Sequence, residues 1–332
     1  MGCVLVRDGG VIGEGWHARA GEPHAEALAL AAAGARAKGA TAYVTLEPCA
    51  HHGRTPPCSA ALVRAGVGRV VAAMRDPNPL VAGRGLAELE AAGIAAECGL
   101  LENEARELNI GFVARMSRGR PWVRMKIAAS LDGRTALANG RSRWITGPEA
   151  RRDGHRLRAR ACVVLTGIGT VRDDDPELTV REVETTRQPL RVVVDSRLET
   201  PQTARVLGEG TLVVAAHEDR DRAQALAARG AQIVVIPNAA GKVDLAKLMA
   251  ELARRQVNEI HVEAGYKLNG SLMKEGLVDE LVIYFAPSVL GDAAHGMFHL
   301  PALDDLAERV RLDVREVGMV GPDIRVVARV TH

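Results

Sequence analysis

Short apolar runs alternate with Ala-, Leu- and Glu-rich stretches through the first third of the chain. Cys3–Arg7 and Val11–Trp16, split by Asp8-Gly9-Gly10, predict a β-hairpin, because Asp-Gly and Gly-Gly supply the positive φ a tight turn requires. His24–Lys38 follows Pro23, is almost pure Ala, Leu and Glu, and predicts a helix broken near Gly39. Ala42–Leu46 and Arg69–Ala73 read as strands, and Cys58–Ala65 and Gly85–Ala92 as helices. The periodicity stops at Arg115-Met116-Ser117-Arg118-Gly119-Arg120-Pro121, where charged and helix-breaking residues cluster. This places a linker at 116–121 between a first domain, 1–115, and a second, 122–332. Beyond it, strands are expected at Val123–Ala128, Cys162–Leu165, Leu190–Val194, Thr211–Ala215, Ile233–Ile236, Glu259–Val262 and Leu281–Phe285. Helices are expected at Glu149–Ala159, Asp221–Ala228 and Asp244–Arg254. The β/α rhythm predicts two layered α/β domains.

Length and composition agree with this reading: 332 residues suffice for two cores, and 47% apolar with 25% charged residues is the usual globular balance. A net charge of only +2, with three each of Trp, Tyr and Phe, offers neither the basic surface nor the stacking platform of a nucleic-acid binder. No apolar run reaches the ~20 residues of a membrane span, and no export signal opens the chain. The five cysteines, odd in number and scattered, suit thiols or metal ligands in a reducing compartment, hence the cytoplasm. Met1–Val6 plunges directly into a strand-like run, so a first element of the domain is expected to be missing.

The first chemistry-bearing constellation is Pro23-His24-Ala25-Glu26, then Glu47-Pro48-Cys49, then Pro57-Cys58. One neutral imidazole and two thiolates, His24, Cys49 and Cys58, balance Zn²⁺ and leave a fourth tetrahedral position for water. Glu26, two residues after the histidine and not a ligand, can shuttle protons, as the H-x-E…P-C deaminase pattern requires. Taken singly, His24 could cap a helix and the cysteines could be buried hydrophobes. His52 reads as a solvent-exposed loop residue.

The cysteines lie nine residues apart, around Ala50-His51-His52-Gly53-Arg54-Thr55-Pro56-Pro57, and Asp76-Pro77-Asn78-Pro79 follows. With PHAE and TLEPC before them, these motifs resemble the bifunctional deaminase/reductase family of riboflavin biosynthesis. The resemblance implies a cytidine-deaminase-like three-layer domain followed by a dihydrofolate-reductase-like α/β domain. It also implies substrate-binding roles for His17, His51, Arg54, Asp76 and Asn78; Arg54 would suit a phosphate. Asp76 and Asn78 could equally initiate turns. Family members carry a leading helix and an N-P-x-V-G-C stretch, of which this chain retains Gly2-Cys3, so a reductase with an impaired deaminase is the alternative reading.

The second constellation begins with Trp122–Gly133, a strand running into a turn, and Ser142–Gly147. No G-x-G-x-x-G follows a first strand, which argues against a Rossmann domain. The glycine-rich signals are Val164–Thr170, with Asp173–Asp175 after it, and Glu263–Ser271. Each follows a strand and precedes a helix, where backbone N–H groups can cradle phosphate. The resemblance implies that Ala128, Trp144, Thr170, Asp174, Gly265, Tyr266, Lys267, Leu268, Asn269, Gly270 and Ser271 contact NADPH. Ser196 is a further expectation for the adenosine phosphate. Ser142, Arg158, Leu178, Arg181 and Glu263 would line the substrate side, with Lys126, Asp174 and Glu263 at the reacting centre. A carboxylate stabilises a developing iminium, and a lysine or acid delivers a proton.

The whole implies a Zn²⁺- and NADPH-dependent enzyme that deaminates a phosphorylated diaminopyrimidinone and then reduces its ribosyl chain, as a homo-oligomer. Two other readings differ in class. One is a nucleic-acid-editing unit, which the charge and the cysteine spacing oppose. The other is a structural zinc scaffold, which needs a fourth ligand such as His51.

Overall fold

Asp8 and Gly9, at φ 51° and 77°, turn the chain between β1 (Gly2–Arg7) and β2 (Gly10–Trp16), so the expected hairpin forms. The computed structural model describes residues 1–53, 55–79 and 81–331. The chain divides into two units, Met1–Arg118 and Gly119–His332.

The first unit adds α1 (Ala25–Ala33), β3 (Thr41–Val44), α2 (Cys58–Arg64), β4 (Arg69–Ala72), α3 (Arg84–Ala91), β5 (Ala95–Cys98), α4 (Glu102–Leu108) and α5 (Ile110–Arg118). Its sheet has the order β2-β1-β3-β4-β5, with β3, β4 and β5 parallel and the hairpin antiparallel. α1, α2 and α3 cover one face over Leu5, Ala29, Val44, Leu62, Val70 and Leu89. On the other face, Ala105 of α4 and Phe112 and Val113 of α5 pack with Leu46 and Met74 as the third layer, and beside them Val4, Tyr43 and Val71 line an open hollow with Leu101 and Leu108. α1 is shorter than its composition suggests because Gly34 turns to φ 57°, after which Gly34–Ala37 continues as one 3₁₀ turn.

The linker starts later than the sequence implies. Met116, Ser117 and Arg118 complete α5, the Ser117 hydroxyl bonding back to the Val113 carbonyl at 2.7 Å, and Gly119 at φ 68° ends the helix. The connection is therefore 119–121. Charge alone does not stop a helix; a change of backbone hand does.

The second unit contains β6 (Trp122–Ser130), β7 (Arg134–Ala136), α6 (Pro148–Arg160), β8 (Val163–Gly167), α7 (Ile168–Asp174), β9 (Leu190–Val194), β10 (Thr211–Ala215), α8 (Arg220–Ala227), β11 (Ala231–Val235) and α9 (Leu245–Arg254). Then come β12 (Glu259–Val262), α10 (Tyr266–Lys274), β13 (Glu280–Ala286), β14 (His295–Gly296), β15 (Arg311–Val320) and β16 (Asp323–Thr331). The nine-stranded order is β11-β10-β9-β8-β12-β6-β13-β16-β15, parallel as far as β13 and antiparallel thereafter, while β7 pairs with β14.

Period-two alternation splits β6: Val123, Met125, Ile127 and Ala129 enter the main core, and Lys126 and Ala128 face the other side, over which α6 packs. After β8 the chain moves outward to β9, and after β12 it crosses to β13. The carboxyl edge between β8 and β12 is thus a topological switch point, where a parallel sheet opens a crevice.

Candidate active sites

In the first unit, the ends of α1, the β3 loop and α2 bring His24, Cys49 and Cys58 together, and the ligand-type atoms lie within 4.8 Å of one another. His24 Nδ1 stands 3.5 Å from Cys49 Sγ and 3.4 Å from Cys58 Sγ. Tetrahedral Zn²⁺ with ordinary Zn–N and Zn–S bonds separates such atoms by roughly 3.6 Å, so the donor set and its spacing fit the metal. The Cys58 amide at the start of α2 donates to Cys49 Sγ at 3.4 Å. Hydrogen bonds from Cys58 and His24 hold the Cys49 thiol down at about 4 despite burial, and the same pairing, with burial, pushes the Cys58 thiol up. Among the described residues His51 does not join this group, so the fourth ligand that a closed structural site needs is not supplied by it.

Glu26, in the first turn of α1, is 8% exposed, and its carboxylate meets the Cys58 thiol. Burial raises its pKa, the direction a proton carrier needs. His17 packs edge-on against His24 with ring centroids 5.1 Å apart, its Nδ1 3.1 Å from the Pro23 carbonyl. Asp76 is buried, accepts from the Asn78 amide at 2.8 Å and is raised to about 6 by burial, with His51 opposing. The Asp76–Asn78 turn therefore exists, as the turn reading expected, and lies beside the site. His52 is exposed, and Arg54 lies outside the described residues.

Two residues here escape motif reading. Thr55 Oγ1 lies 3.2 Å from His24 Nε2 and orients the imidazole. Glu47, 2% exposed, accepts backbone N–H groups from Asp76, Gly83, Gly85 and Leu86 at 2.9–3.3 Å. It ties the 76–86 segment to the cysteine loop. A β-carbon at Gly85 would overlap the Pro48 carbonyl oxygen. The signal was in the sequence, a carboxylate beside Cys49, but its partners are 29 or more residues away.

In the second unit, Glu263 follows β12 at the switch point, beside Lys126 on β6. Arg158 of α6 grips Glu263 as a fork, Nε donating to Oε1 and Nη2 to Oε2, the latter bond measuring 2.8 Å, and His261 Nε2 is 3.1 Å from Oε1. Burial raises the Glu263 carboxyl, but Arg158 and His261 outweigh it and hold the group well below the carboxylate range. Burial lowers Lys126, against the attraction of Glu263. Arg158 also donates to the Thr179 carbonyl at 2.9 Å, while Arg181 donates to Thr179 Oγ1 and pairs with Glu177, both at 2.8 Å.

Asp174, at the end of α7, accepts from Ser142 at 2.9 Å and pairs with Arg143 at 3.3 Å. Trp144, 70% exposed, lies under the Arg151 guanidinium, 4.6 Å from the ring centroid. The two glycine-rich segments meet: a β-carbon at Gly265 would contact Thr170 Oγ1, and one at Gly167 would press on Leu268. Ser196, on the turn after β9, accepts from the Val243 amide at 3.3 Å.

The cradle is narrower than the sequence suggested. α10 starts at Tyr266, so only its first-turn amides lack intrahelical partners. Asn269 and Gly270 are buried against the 297–299 segment, where Asn269 donates to the Met297 carbonyl and a Gly270 β-carbon would overlap the His299 carbonyl. Ser271 bonds back to the Lys267 carbonyl at 3.1 Å. Leu178, at φ 56°, sends its side chain into the core with Val164, Val171 and Val193 and is 2% exposed. Still, glycines at 167, 169 and 265, the α10 N-terminus and Thr170 converge on the crevice, which fits a dinucleotide phosphate.

Fold and site together define a zinc-type deaminase domain followed by a reductase domain. Residues 1–74 match the cytidine and deoxycytidylate deaminase zinc-binding region, and residues 121–326 match the RibD C-terminal domain. The riboflavin biosynthesis protein RibD of Escherichia coli is 49% identical over 98% of this chain and 91% of its own length. That of Haemophilus influenzae is 47% identical over 98% and 90%. Acinetobacter baumannii RibD superposes with a TM-score of 0.92 at 45% identity, covering 100% of this chain and 92% of its own. The diaminohydroxyphosphoribosylaminopyrimidine deaminase/5-amino-6-(5-phosphoribosylamino)uracil reductase of Thermotoga maritima does so at 0.87 and 30% identity, covering 99% and 91%. The chain belongs to the RibD family. It is a bifunctional deaminase and reductase that uses zinc and NADPH.

Proposed function

We propose that the first unit hydrolyses the 2-amino group of 2,5-diamino-6-(5-phosphoribosylamino)pyrimidin-4-one to an oxo group with release of ammonia, and that the second reduces the ribosyl group to ribityl. The observation that carries the deaminase reading is the approach of both thiols to His24 Nδ1 with Glu26 against Cys58. His24, Cys49 and Cys58 are the zinc ligands, and bound zinc supplies Lewis acidity that makes water nucleophilic near neutral pH. Glu26 takes one proton from the attacking water and passes it to the ring nitrogen, then carries the second, from the hydroxyl so formed, to the leaving amine as the carbonyl forms and ammonia departs. His17, His51, Arg54, Asp76 and Asn78 bind the substrate.

In the reductase, NADPH supplies the hydride. Gly265–Leu268 and Thr170 hold its phosphates, with Ala128, Trp144 and Ser196 as further contacts. Glu263, kept ionised, stabilises positive charge developing at the ribose C1′ and its nitrogen, and Lys126 or Asp174 delivers the proton to the opening ring oxygen. Ser142 positions Asp174. Arg158 is committed to Glu263 and Thr179 and nearly buried, whereas Arg181, held through Nη1 by Glu177 and Thr179, is half exposed and serves as the phosphate anchor.

The product masses formed from the diaminopyrimidinone phosphate with zinc and NADPH test both steps at once. Both mass changes are expected; reduction only of pre-deaminated substrate would assign the chain a reductase role alone.

The chain is further proposed to be a cytoplasmic homo-oligomer. A reducing compartment suits free thiol ligands. No helix among the described residues is long and apolar enough to cross a membrane. The edge strand β15 exposes Leu312, Val314, Val317 and Met319, a surface suited to a second copy.

A further inference from the structure

We propose that His261 is a positioning residue for the reductase: its Nε2–H donates to Glu263 Oε1, the oxygen that Arg158 Nε also bonds, and with the Arg158 fork fixes the carboxylate in one orientation beside Lys126. This rests on the reading that Glu263 takes part in reduction.

Ile260 and Val262 of β12 enter the main core, so His261 and Glu263 project together from the opposite face. Glu263 stands at the carboxyl edge, with 17% of its side chain exposed. His261 lies one pleat deeper and is 0% exposed, so it touches Glu263 and cannot touch substrate. Its Nδ1 has no hydrogen-bond partner among the described residues. A buried imidazole satisfied only through Glu263 is expensive where an isoleucine would pack freely, and what it gains is that one bond.

The groups facing this pair are Arg124 and Lys126 of β6, His155 and Arg158 of α6, and Arg181 beyond α7; Arg151 and Asp323 act on Lys126, and Glu182 on His155, Arg158 and Arg181. Arg124 is itself paired with Glu259 and Glu280. Burial, helped by Arg158 and Lys126, keeps the imidazole neutral, and a neutral imidazole bonded to an ionised carboxylate must be the Nε2–H tautomer.

The test compares His261→Leu, which removes the donor, with His261→Gln, whose amide nitrogen reaches to the place of Nε2. H261L is expected to lower reductase kcat by about tenfold or more with KM nearly unchanged, and to move the acid limb of the kcat profile upward. In the cofactor-free protein, carbon-detected NMR of labelled glutamate should show the Glu263 carboxyl titrating about one pH unit higher. H261Q should restore kcat and the limb, and deaminase activity should be unchanged in both. Should the leucine variant not fold, His261→Asn, which fits the space but falls short of Glu263, is expected to behave as H261L. Wild-type kcat and titration in the donorless variant, or equal impairment in H261Q, would overturn the proposal. Full reductase activity in Glu263→Gln would instead overturn the role of Glu263 itself.

Discussion

The Thr55 hydroxyl lies 3.2 Å from Nε2 of His24, the nitrogen of the imidazole that does not face the two thiols. A ligand imidazole held at its second nitrogen keeps its tautomer and its aim, and loss of such partners typically costs about 10–100-fold in metal affinity. Thr55→Val is expected to lose zinc to a competing chelator at least about tenfold more readily than wild type, and Thr55→Ser to recover most of that. Equal retention in all three would show the contact to be passive.

Glu47 is the buried acceptor for four backbone donors. Each donor left without a partner costs about 1–3 kcal/mol, less whatever water can recover. Glu47→Leu should destabilise the first unit by at least about 3 kcal/mol. In urea, deaminase activity and bound zinc should be lost well before reductase activity, whereas wild type should show no such early loss.

Gly270 packs beneath the His299 carbonyl with no room for a methyl group. Overpacking of this kind costs about 1–3 kcal/mol. Gly270→Ala should therefore lower the melting temperature of the reductase unit while leaving zinc content unchanged. An unchanged melting curve with weakened NADPH binding would return the residue to the cofactor.

Asp132 accepts from the Leu290 and Gly291 amides at 3.1 and 2.8 Å and from the Ser130 hydroxyl, which hold its carboxyl down at about 2. A carboxyl lowered in the folded state contributes fully above its unfolded value, near 4, and loses that contribution as pH falls through about 2. Hydrogen-exchange protection of those two amides should fade across this window, and Asp132→Ala should abolish it at every pH. Protection that does not vary with pH in wild type would show that the sheet, rather than Asp132, holds the turn.

β15 presents Val314 and Val317 to solvent, at 55% and 63% exposure, on an unpaired edge. If a second copy covers this strand, Val314→Lys with Val317→Lys should convert the oligomer to monomer in light scattering, with both activities' KM values readable in the monomer. An unchanged mass would place the interface elsewhere.

Local information carried much of the architecture. Leu190–Val194, Thr211–Ala215 and Glu259–Val262 form strands as read, because buried parallel strands are continuous β-branched runs with no competing helical period. The C-terminal hairpin was not legible. A register shift between Val314 and Glu316 puts the apolar positions at 312, 314, 317 and 319, which breaks the alternation that would reveal a strand. β5 and α4 were missed for a different reason: each is short and mostly solvent-facing, so its pattern is weak, while α5 runs through Arg115–Arg118, where clustered charge reads as a linker.

By itself the sequence determined the zinc set, since His, Cys and Cys at element ends are a requirement of the metal that no packing can substitute. It also determined which segments fold as strands and where glycine-rich turns fall, because both depend on neighbours a few residues apart. Tertiary structure alone decided that Arg158 serves Glu263, 105 residues away, that Glu47 ties down the 76–86 segment, and that Gly270 makes room for His299. Those partners are chosen by strand order and by which face of a strand points inward, and a residue's own neighbourhood in the chain carries no record of either.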